Sequence, residues 1–447
     1  MLTLIPDVML AILTTHPIQY QVPLWQALAR DRRVPFEVWY LSDHGVRTTH
    51  DPEFGRSFAW DLGQDTLQGY PHRFLKINEG WSVRPEEFFG MRLQEPLIPL
   101  MQEKGVTALW IQGWQKYAYW QAVHQARRAG VAVWMRGETN DLGPRSALLK
   151  RWAKQVRLRW LFKHVDHFFC IGSANRRFYR DYGVPEARLH WAPYFVDNER
   201  FAAQAARLRP QRMALRREWG IADDAFVALF CGKFIPKKRP LDLVAAAELL
   251  EAKRGAGASG VPLPLDSCHS PQLHLLFVGS GELGGALRAS TEVIYDAEAG
   301  TICAKPAVWN LESTQRRRVP RASFAGFLNQ NEIARAYVAA DCLVLPSDHG
   351  ETWGLVVNEA MASGLPCLVS DAVGCGEDLV APINPILRFP LGDTAGLAAS
   401  LCTCAECNRD GELARSATAH IGAFGVRQTV ETVVAIASDY AWHRDFA

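Results

Sequence analysis

The sequence predicts an α/β protein built as two doubly wound halves. Three observations carry this. Apolar runs of strand length alternate with helical stretches, and they do so twice along the chain. Glycines and prolines punctuate that alternation, as where Gly364 and Pro366 end one helical pattern just before the next apolar run. The length of 447 residues also exceeds one ordinary core and suits two domains of roughly 200 residues each.

The elements follow in order. Strands are expected at 8–15, 36–41, 107–111, 131–136 and 167–171, with helices between them. Residues 1–7 lack the basic segment that opens a signal peptide, so the apolar residues 8–13 read as the first buried strand. Residues 199–220, polar, basic and Ala-rich, read as a linker and lead-in helix. The second half opens at 226–231 and continues through strands at 273–278, 342–345 and 366–370. Two stretches interrupt the alternation and read as surface insertions: 253–271, rich in Gly, Pro and Ser, and 289–320. The expected division is therefore 1–198, 199–427 and a closing helix over 428–447.

Composition excludes several classes. A net charge of +2 gives no reason to expect a nucleic-acid partner. No window holds 18 uninterrupted apolar residues, so no membrane-spanning helix is expected and the protein reads as cytoplasmic. Cys170, Cys231, Cys342 and Cys367 sit in apolar runs and read as small core residues of a reducing compartment. Cys402, Cys404 and Cys407 have metal-like spacing, but a structural zinc needs a fourth ligand and none is near, so they read as a helix end.

The chemistry concentrates around Gly354. Glu351 and Glu359 flank it, eight positions apart. Glu351 falls in the loop at a strand's carboxyl end, and Glu359 lies about a turn and a half into the following helix. Between them, a helix start with unpaired N–H groups and no side chain at Gly354 suits a phosphate. Carboxylates on either side suit hydroxyls, one set on a sugar and one on a ribose. Upstream, Lys233 and Lys238 follow a strand and Gly232, which carries two cations to the edge where open α/β sheets bind ligands. There they would neutralise a diphosphate. The competing reading of that segment is a solvated basic loop, since Lys237 and Arg239 are charged as well.

These residues resemble a known family. Glu351 to Glu359 is similar to the E-x7-E motif of retaining glycosyltransferases of the GT-B fold, family 4 (group 1). Phe324-Ala-Gly-Phe327, Glu332, Tyr337, Ala340-Asp341 and Pro346-Ser347 resemble the run leading into it. Gly232 to Lys238 resembles the family's phosphate loop, Gly279-Ser-Gly281-Glu-Leu283 its G-x-G-x-L turn, and 191–197 its exit from the N-terminal domain. The match spans 225–400 in the family's order. It implies two Rossmann-like domains facing a central cleft, with the closing helix crossing back to the N-terminal domain. It also implies a nucleotide-sugar donor held by Gly232, Gly279, Gly281, Gly354, Leu355 and Glu359. Glu351, Lys238 and Lys233 would act on the sugar and diphosphate, with no metal or other cofactor. Transfer to a hydroxyl acceptor, glycan or lipid-linked, follows from the same resemblance.

The N-terminal half departs from that pattern. In place of a glycine-rich loop, the first strand leads into Thr15-His16-Pro-Ile-Gln19-Tyr-Gln21, and Arg136-Gly-Glu138 stands where members often carry a histidine. His16, Arg136 and Glu138 are therefore acceptor-side candidates, with packed turns as the competing reading. Eleven of the fifteen tryptophans lie before residue 200, which suits sugar or lipid contact as well as a core. Residues 145–163 combine seven basic side chains with apolar ones and are a candidate peripheral contact with the inner face of a membrane. An amphipathic helix packed on its own domain is the alternative there. For the whole chain, two other functions compete: a nucleotide-sugar epimerase of the same fold, and a non-catalytic nucleotide binder.

Overall fold

The structure, a computed structural model, describes residues 8–43, 49–51, 56–58, 66–77, 87–143, 148–256, 272–299, 301–302 and 319–445. The chain divides into two compact units. One comprises Met1–Thr49, Phe58–Val196 and Phe424–Ala447; the other comprises His50–Ser57 and Asp197–Ala423.

The first unit is a seven-stranded sheet. Its strands are β1 (Leu10–Thr14), β2 (Phe36–Tyr40), β5 (His72–Phe74), β6 (Ala108–Ile111), β7 (Ala132–Arg136), β8 (His167–Cys170) and β9 (Leu189–Trp191), in the order β5-β2-β1-β6-β7-β8-β9. A separate two-stranded ladder pairs β3 (Thr49–Asp51) with β4 (Arg56–Phe58). All ladders of the large sheet are parallel, so both of its faces must be covered, which is why a central strand such as Ala108–Ile111 reads as an unbroken apolar run. Helices α1 (Val22–Asp31), α2 (Ile98–Glu103), α3 (Tyr117–Arg128), α4 (Leu148–Phe162) and α5 (Ser173–Asp181) supply that cover. Alternate residues split between two cores. Leu13, Ile111 and Met135 face one; Leu10, Ile12, Trp110 and Trp134 face the other. Trp110 sits at the centre of the second core, edge-on to Trp25 at 5.9 Å and stacked on Phe169 at 4.3 Å.

The second unit has eight strands: β10 (Phe226–Cys231), β11 (Leu273–Val278), β12 (Glu292–Asp296), β13 (Thr301–Ile302), β14 (Arg321–Gly326), β15 (Cys342–Leu345), β16 (Cys367–Ser370) and β17 (Arg388–Phe389). Their order is β13-β12-β14-β11-β10-β15-β16-β17, parallel except for β13. The covering helices are α6 (Asn198–Leu208), α7 (Arg212–Glu218), α8 (Pro240–Ala256), α9 (Gly284–Ala289), α10 (Ala334–Ala339), α11 (Leu355–Ala362), α12 (Thr394–Cys407) and α13 (Glu412–Ile421). In each sheet the strand order reverses beside the unit's first strand, between β1 and β6 and between β10 and β15. Loops leaving those strands at their carboxyl ends diverge and leave a crevice.

Three expectations are corrected. Residues 289–320 are not simply a surface insertion: β12 pairs in parallel with β14 and extends the sheet, and only 300 and 303–318 lie outside the described residues. Residues 199–220 supply the expected lead-in helix but no linker. They form α6 and α7, which bury Phe201, Ala205 and Leu215 and belong to the second unit. Of 253–271, the first residues end α8, and 257–271 lie outside the described residues, as do 1–7. The last helix, α14 (Val426–Asp445), belongs to the first unit, where Val430, Val433, Ile436 and Ala437 join the core that holds Trp25.

Asp341, at the amino end of β15, has a purely architectural role. It pairs with Arg212 at 2.6 Å and Arg216 at 2.7 Å, and it accepts a hydrogen bond from the Val227 N–H at 2.7 Å. Arg216 is 3 % exposed, and its guanidinium also donates to the carbonyls of Ala225 and Ala339. A buried cation satisfied this fully ties α7 to the starts of β10 and β15 and thereby sets the register of the strands that carry the site.

Candidate active site

In the second unit, two loops leave the crevice strands side by side. The first follows β10. Gly232 turns with φ 147°, and its N–H donates to the Val278 carbonyl at 3.0 Å. The second glycine-bearing loop, after β11, packs directly on it. A Cβ at Gly279 (φ 132°) would lie 2.0 Å from the Gly232 carbonyl oxygen, and one at Gly281 would lie 2.7 Å from the Phe234 carbonyl. Phe234 seals the contact, donating to Ser280 O at 2.8 Å and accepting from Leu283 N–H at 2.9 Å. Only glycine permits this approach. The sequence-predicted phosphate loop and G-x-G-x-L turn thus form one rigid ledge.

Lys233 is half-buried on that ledge, and Lys238 ends the short 3-10 turn Pro236–Lys238. The Lys238 ammonium forms an ion pair with Glu351 on the loop after β15, the neighbouring strand. That second loop is well anchored. Asp348 N–H donates to the Lys237 carbonyl at 2.8 Å, and Gly374 N–H to the Glu351 carbonyl at 3.2 Å. The buried Trp353 indole donates to Asn358 Oδ1 at 2.8 Å.

The Glu351 loop runs straight into α11 through Gly354, the residue before its first turn. Gly354 has φ 98°, and a Cβ there would strike Leu345 at 2.9 Å. Leu355 opens the helix half-buried. One turn further in, Glu359 is only 5 % exposed and accepts a hydrogen bond from the Tyr337 hydroxyl of α10 at 2.6 Å. Cys231, the last residue of β10, feels the charges of both Glu359 and Lys238. Burial, reinforced by the Glu359 carboxylate, pushes its thiol up to about 12, while Lys238 pulls it down in part. The structure therefore gathers Lys238, Glu351, Glu359, Tyr337 and Cys231 at the β10–β15 crossover. Tyr337 as the partner of Glu359 was beyond sequence reasoning, since 22 positions separate them and only the packing of α10 on the sheet brings them together.

The first unit has its own row at the equivalent crossover. Leu13, Ile111 and Met135 are in register on β1, β6 and β7, which places Thr14, Gln112 and Arg136 side by side one residue later. Arg136 is 3 % exposed and lies over the Tyr194 ring at 4.4 Å. Its Nη1 is 4.0 Å from Glu138 Oε1, which accepts the Tyr194 hydroxyl at 2.5 Å. Burial, with Glu138 alongside, holds that hydroxyl far above its ordinary range, so it stays a donor. Arg136 Nε and Nη2 and both side-chain polar atoms of Gln112 are buried and make no hydrogen bond in the structure. His16, on the loop after β1, meets Thr15 Oγ1 through Nδ1 at 2.9 Å. Gln112 and Tyr194 were not singled out as site residues. The parallel register that aligns Gln112 with Arg136 has no local sequence signal.

Among the described residues, no three His, Cys, Asp or Glu side chains group as metal ligands. Cys402 and Cys404 are buried on α12 and Cys407 is exposed on the same helix. No helix among the described residues is long and apolar enough to cross a membrane.

Comparison with known proteins agrees with this geometry. Residues 211–384 match the model for glycosyl transferases group 1, a span that holds both loops, α11 and α10. The chain is 26% identical over 275 residues to a GDP-mannose-dependent alpha-mannosyltransferase of Mycobacterium tuberculosis, covering 61% of this chain and 57% of that protein. It is 29% identical over 258 residues to a D-inositol 3-phosphate glycosyltransferase of Geodermatophilus obscurus, covering 57% and 48%. The chain thus spans about half the length of these relatives. Anabaena HepE, solved in complex with UDP and glucose, shares the fold over 96% of this chain and 99% of its own, with a TM-score of 0.57 at 16% identity. The two doubly wound units are those of the GT-B fold, and residues 211–384 are similar to the glycosyl transferases group 1 family.

Proposed function

We propose that this protein is a retaining glycosyltransferase of the family 4 type, moving a sugar from a nucleoside-diphosphate sugar to a hydroxyl acceptor. The observation that carries this reading is the Lys238–Glu351 pair at the β10–β15 crossover, on the loop that leads into the helix of the buried Glu359. Glu351 orients the hydroxyls of the transferred sugar, and Glu359 takes the ribose hydroxyls. Lys238, Lys233 and the Gly354–Leu355 helix start take the diphosphate. A departing diphosphate balanced by two lysines and oriented N–H groups needs no metal for charge. The leaving phosphate receives the acceptor proton on the same face of the sugar, so no strong base is required. GDP and UDP in the names of relatives and fold neighbours support a nucleoside-diphosphate donor.

Acceptor recognition falls to the first unit, where the Thr14–Gln112–Arg136 row, Glu138 and His16 offer hydrogen-bonding groups of both signs. A thermal-shift screen of UDP-, GDP- and ADP-sugars tests the reading first, because a ligand that binds only the folded state raises the melting temperature. Transfer from the best donor to a glycan or lipid-linked acceptor is the second step. An altered free nucleotide sugar appearing with no acceptor present would instead assign the protein as an epimerase. No stabilisation by any nucleotide sugar would reject both.

A further inference from the structure

Helix α4 has two faces of opposite character. Leu158, Leu161 and Phe162 are buried in the core of the first unit. Trp152, Val156 and Trp160 are 62, 50 and 54 % exposed. At about 100° per residue, this second set forms one stripe on the side away from the first. The helix contains no acidic residue, and Arg157, Arg159 and Lys163 are all exposed beside the stripe.

The face continues onto neighbouring elements. Trp160 stacks on Trp120 at 5.9 Å with the planes 5° apart, and Trp120 meets Phe88 at 6.0 Å. Phe88 in turn packs on Phe89, which is 46 % exposed. Arg157 lies over Phe88 and Trp120, and Arg92 lies over Phe89 and Tyr117. Four of the eight large apolar side chains exposed among the described residues thus gather on this one surface. A cavity of about 630 Å³ opens along its edge, between Val156, Trp160 and Arg159 on one side and Tyr182, Pro185 and Arg188 on the other.

Indole and phenyl rings interleaved with arginines match one kind of surface. The rings are amphipathic or apolar and sit at the depth of lipid headgroups, and the guanidiniums pair with headgroup phosphates above them. An ordinary solvated helix face would not expose two tryptophans and a valine in line. A protein partner of matching charge would need an acidic, aromatic-tolerant surface, whereas an anionic bilayer offers both properties everywhere.

We infer that this face docks the protein on the surface of an anionic lipid bilayer, with Trp152, Val156, Trp160 and Phe89 in the headgroup layer and Arg157, Arg159 and Lys163 against lipid phosphates. The docking stands independently of the transfer reaction, and its experiment can fail without touching that reaction.

The test is co-sedimentation of the full chain with vesicles of phosphatidylcholine, alone or mixed with phosphatidylglycerol. Binding is expected to the mixed vesicles, to weaken with added salt, and to be poor on phosphatidylcholine alone. Arg157→Glu/Arg159→Glu should lower the partition coefficient at least about 25-fold, at about fivefold for each basic residue lost. Trp152→Ser/Trp160→Ser should lower it about tenfold. Both variants should keep the wild-type circular dichroism spectrum and nucleotide affinity. Equal binding by wild type and both folded variants would overturn the proposal, as would absence of binding to the mixed vesicles. A concentration-dependent dimer lost in Trp152→Ser/Trp160→Ser, with no vesicle binding, would assign the face to a second copy and overturn it too.

Discussion

The Lys238 ammonium and the Glu351 carboxylate form an ion pair whose side chains are only 18 and 15 % exposed, linking the loops that follow two adjacent parallel strands. A diphosphate at this site competes with Glu351 for the lysine. Lys238→Ala is therefore expected to weaken nucleoside-diphosphate binding by about 1.5–3 kcal/mol, the range for a charge-assisted hydrogen bond. Glu351→Gln keeps the shape, removes the competing charge, and should hold or tighten nucleotide affinity while turnover falls. Calorimetric titration with UDP and GDP, with steady-state rates alongside, checks both. Equal weakening by the two substitutions would contradict the roles assigned.

Glu359 depends on Tyr337 as well as on its helix. Tyr337→Phe removes one donor from a buried carboxylate and should cost about 1–3 kcal/mol of stability, read from the urea midpoint. Glu359→Ala should weaken nucleoside-diphosphate binding by about 1.5–3 kcal/mol if the carboxylate holds the ribose. Affinity equal to wild type in a folded Glu359→Ala protein would remove Glu359 from the donor site.

Gly279→Ala tests the ledge between the glycine loops. A methyl group there meets the Gly232 carbonyl oxygen at 2.0 Å in a backbone with φ 132°, so one loop must move. A loss of about 2 kcal/mol or more is expected, together with weaker nucleotide binding. A stable Gly279→Ala protein with unchanged affinity would show that the ledge is not needed.

Charge on the diphosphate is assigned to Lys233, Lys238 and the start of α11. Transfer activity should accordingly survive prolonged dialysis against EDTA and gain little from added magnesium or manganese. An absolute metal requirement in the purified protein would overturn that assignment.

Two histidines, His274 buried and His190 half-buried, link stability to pH. Burial, aided by nearby Arg321 and Arg216, lowers His274 to about 3, and it shares a 2.8 Å hydrogen bond with Ser323. Burial and the adjacent His167 lower His190 to about 4. Both folded-state values lie below the ordinary 6.5, so the unfolded chain takes up protons first as the solution is acidified. Their contribution is present above pH 6.5 and is lost progressively as the pH falls toward 4 and then 3. The melting temperature should fall over that interval, and His190→Gln should flatten the upper part of the slope. A melting temperature constant from pH 6.5 down to 4 would be incompatible with two imidazoles held neutral in the folded protein.

Much of this protein is written locally in its sequence. Buried parallel strands such as Phe226–Cys231, and Leu273–Val278 apart from His274, are apolar, so their boundaries are legible from composition alone. Gly354 before an apolar helix, and carboxylates at 351 and 359 on either side of it, mark the candidate site for the same reason: a turn and a helix start need specific residues at fixed spacing. What the sequence could not determine depends on contacts between distant segments. Glu292–Asp296 looks like part of an insertion because its pairing with β14 is set by a neighbour, not by its own pattern. The Tyr337–Glu359 bond and the Lys238–Glu351 pair join residues 22 and 113 positions apart. The alignment of Gln112 with Arg136 follows from the parallel register of β6 and β7. The outward face of Trp152, Val156 and Trp160 on α4 was likewise decided only by which side of that helix the core claimed. Periodicity gives each element its two faces, and only packing chooses which of them meets water.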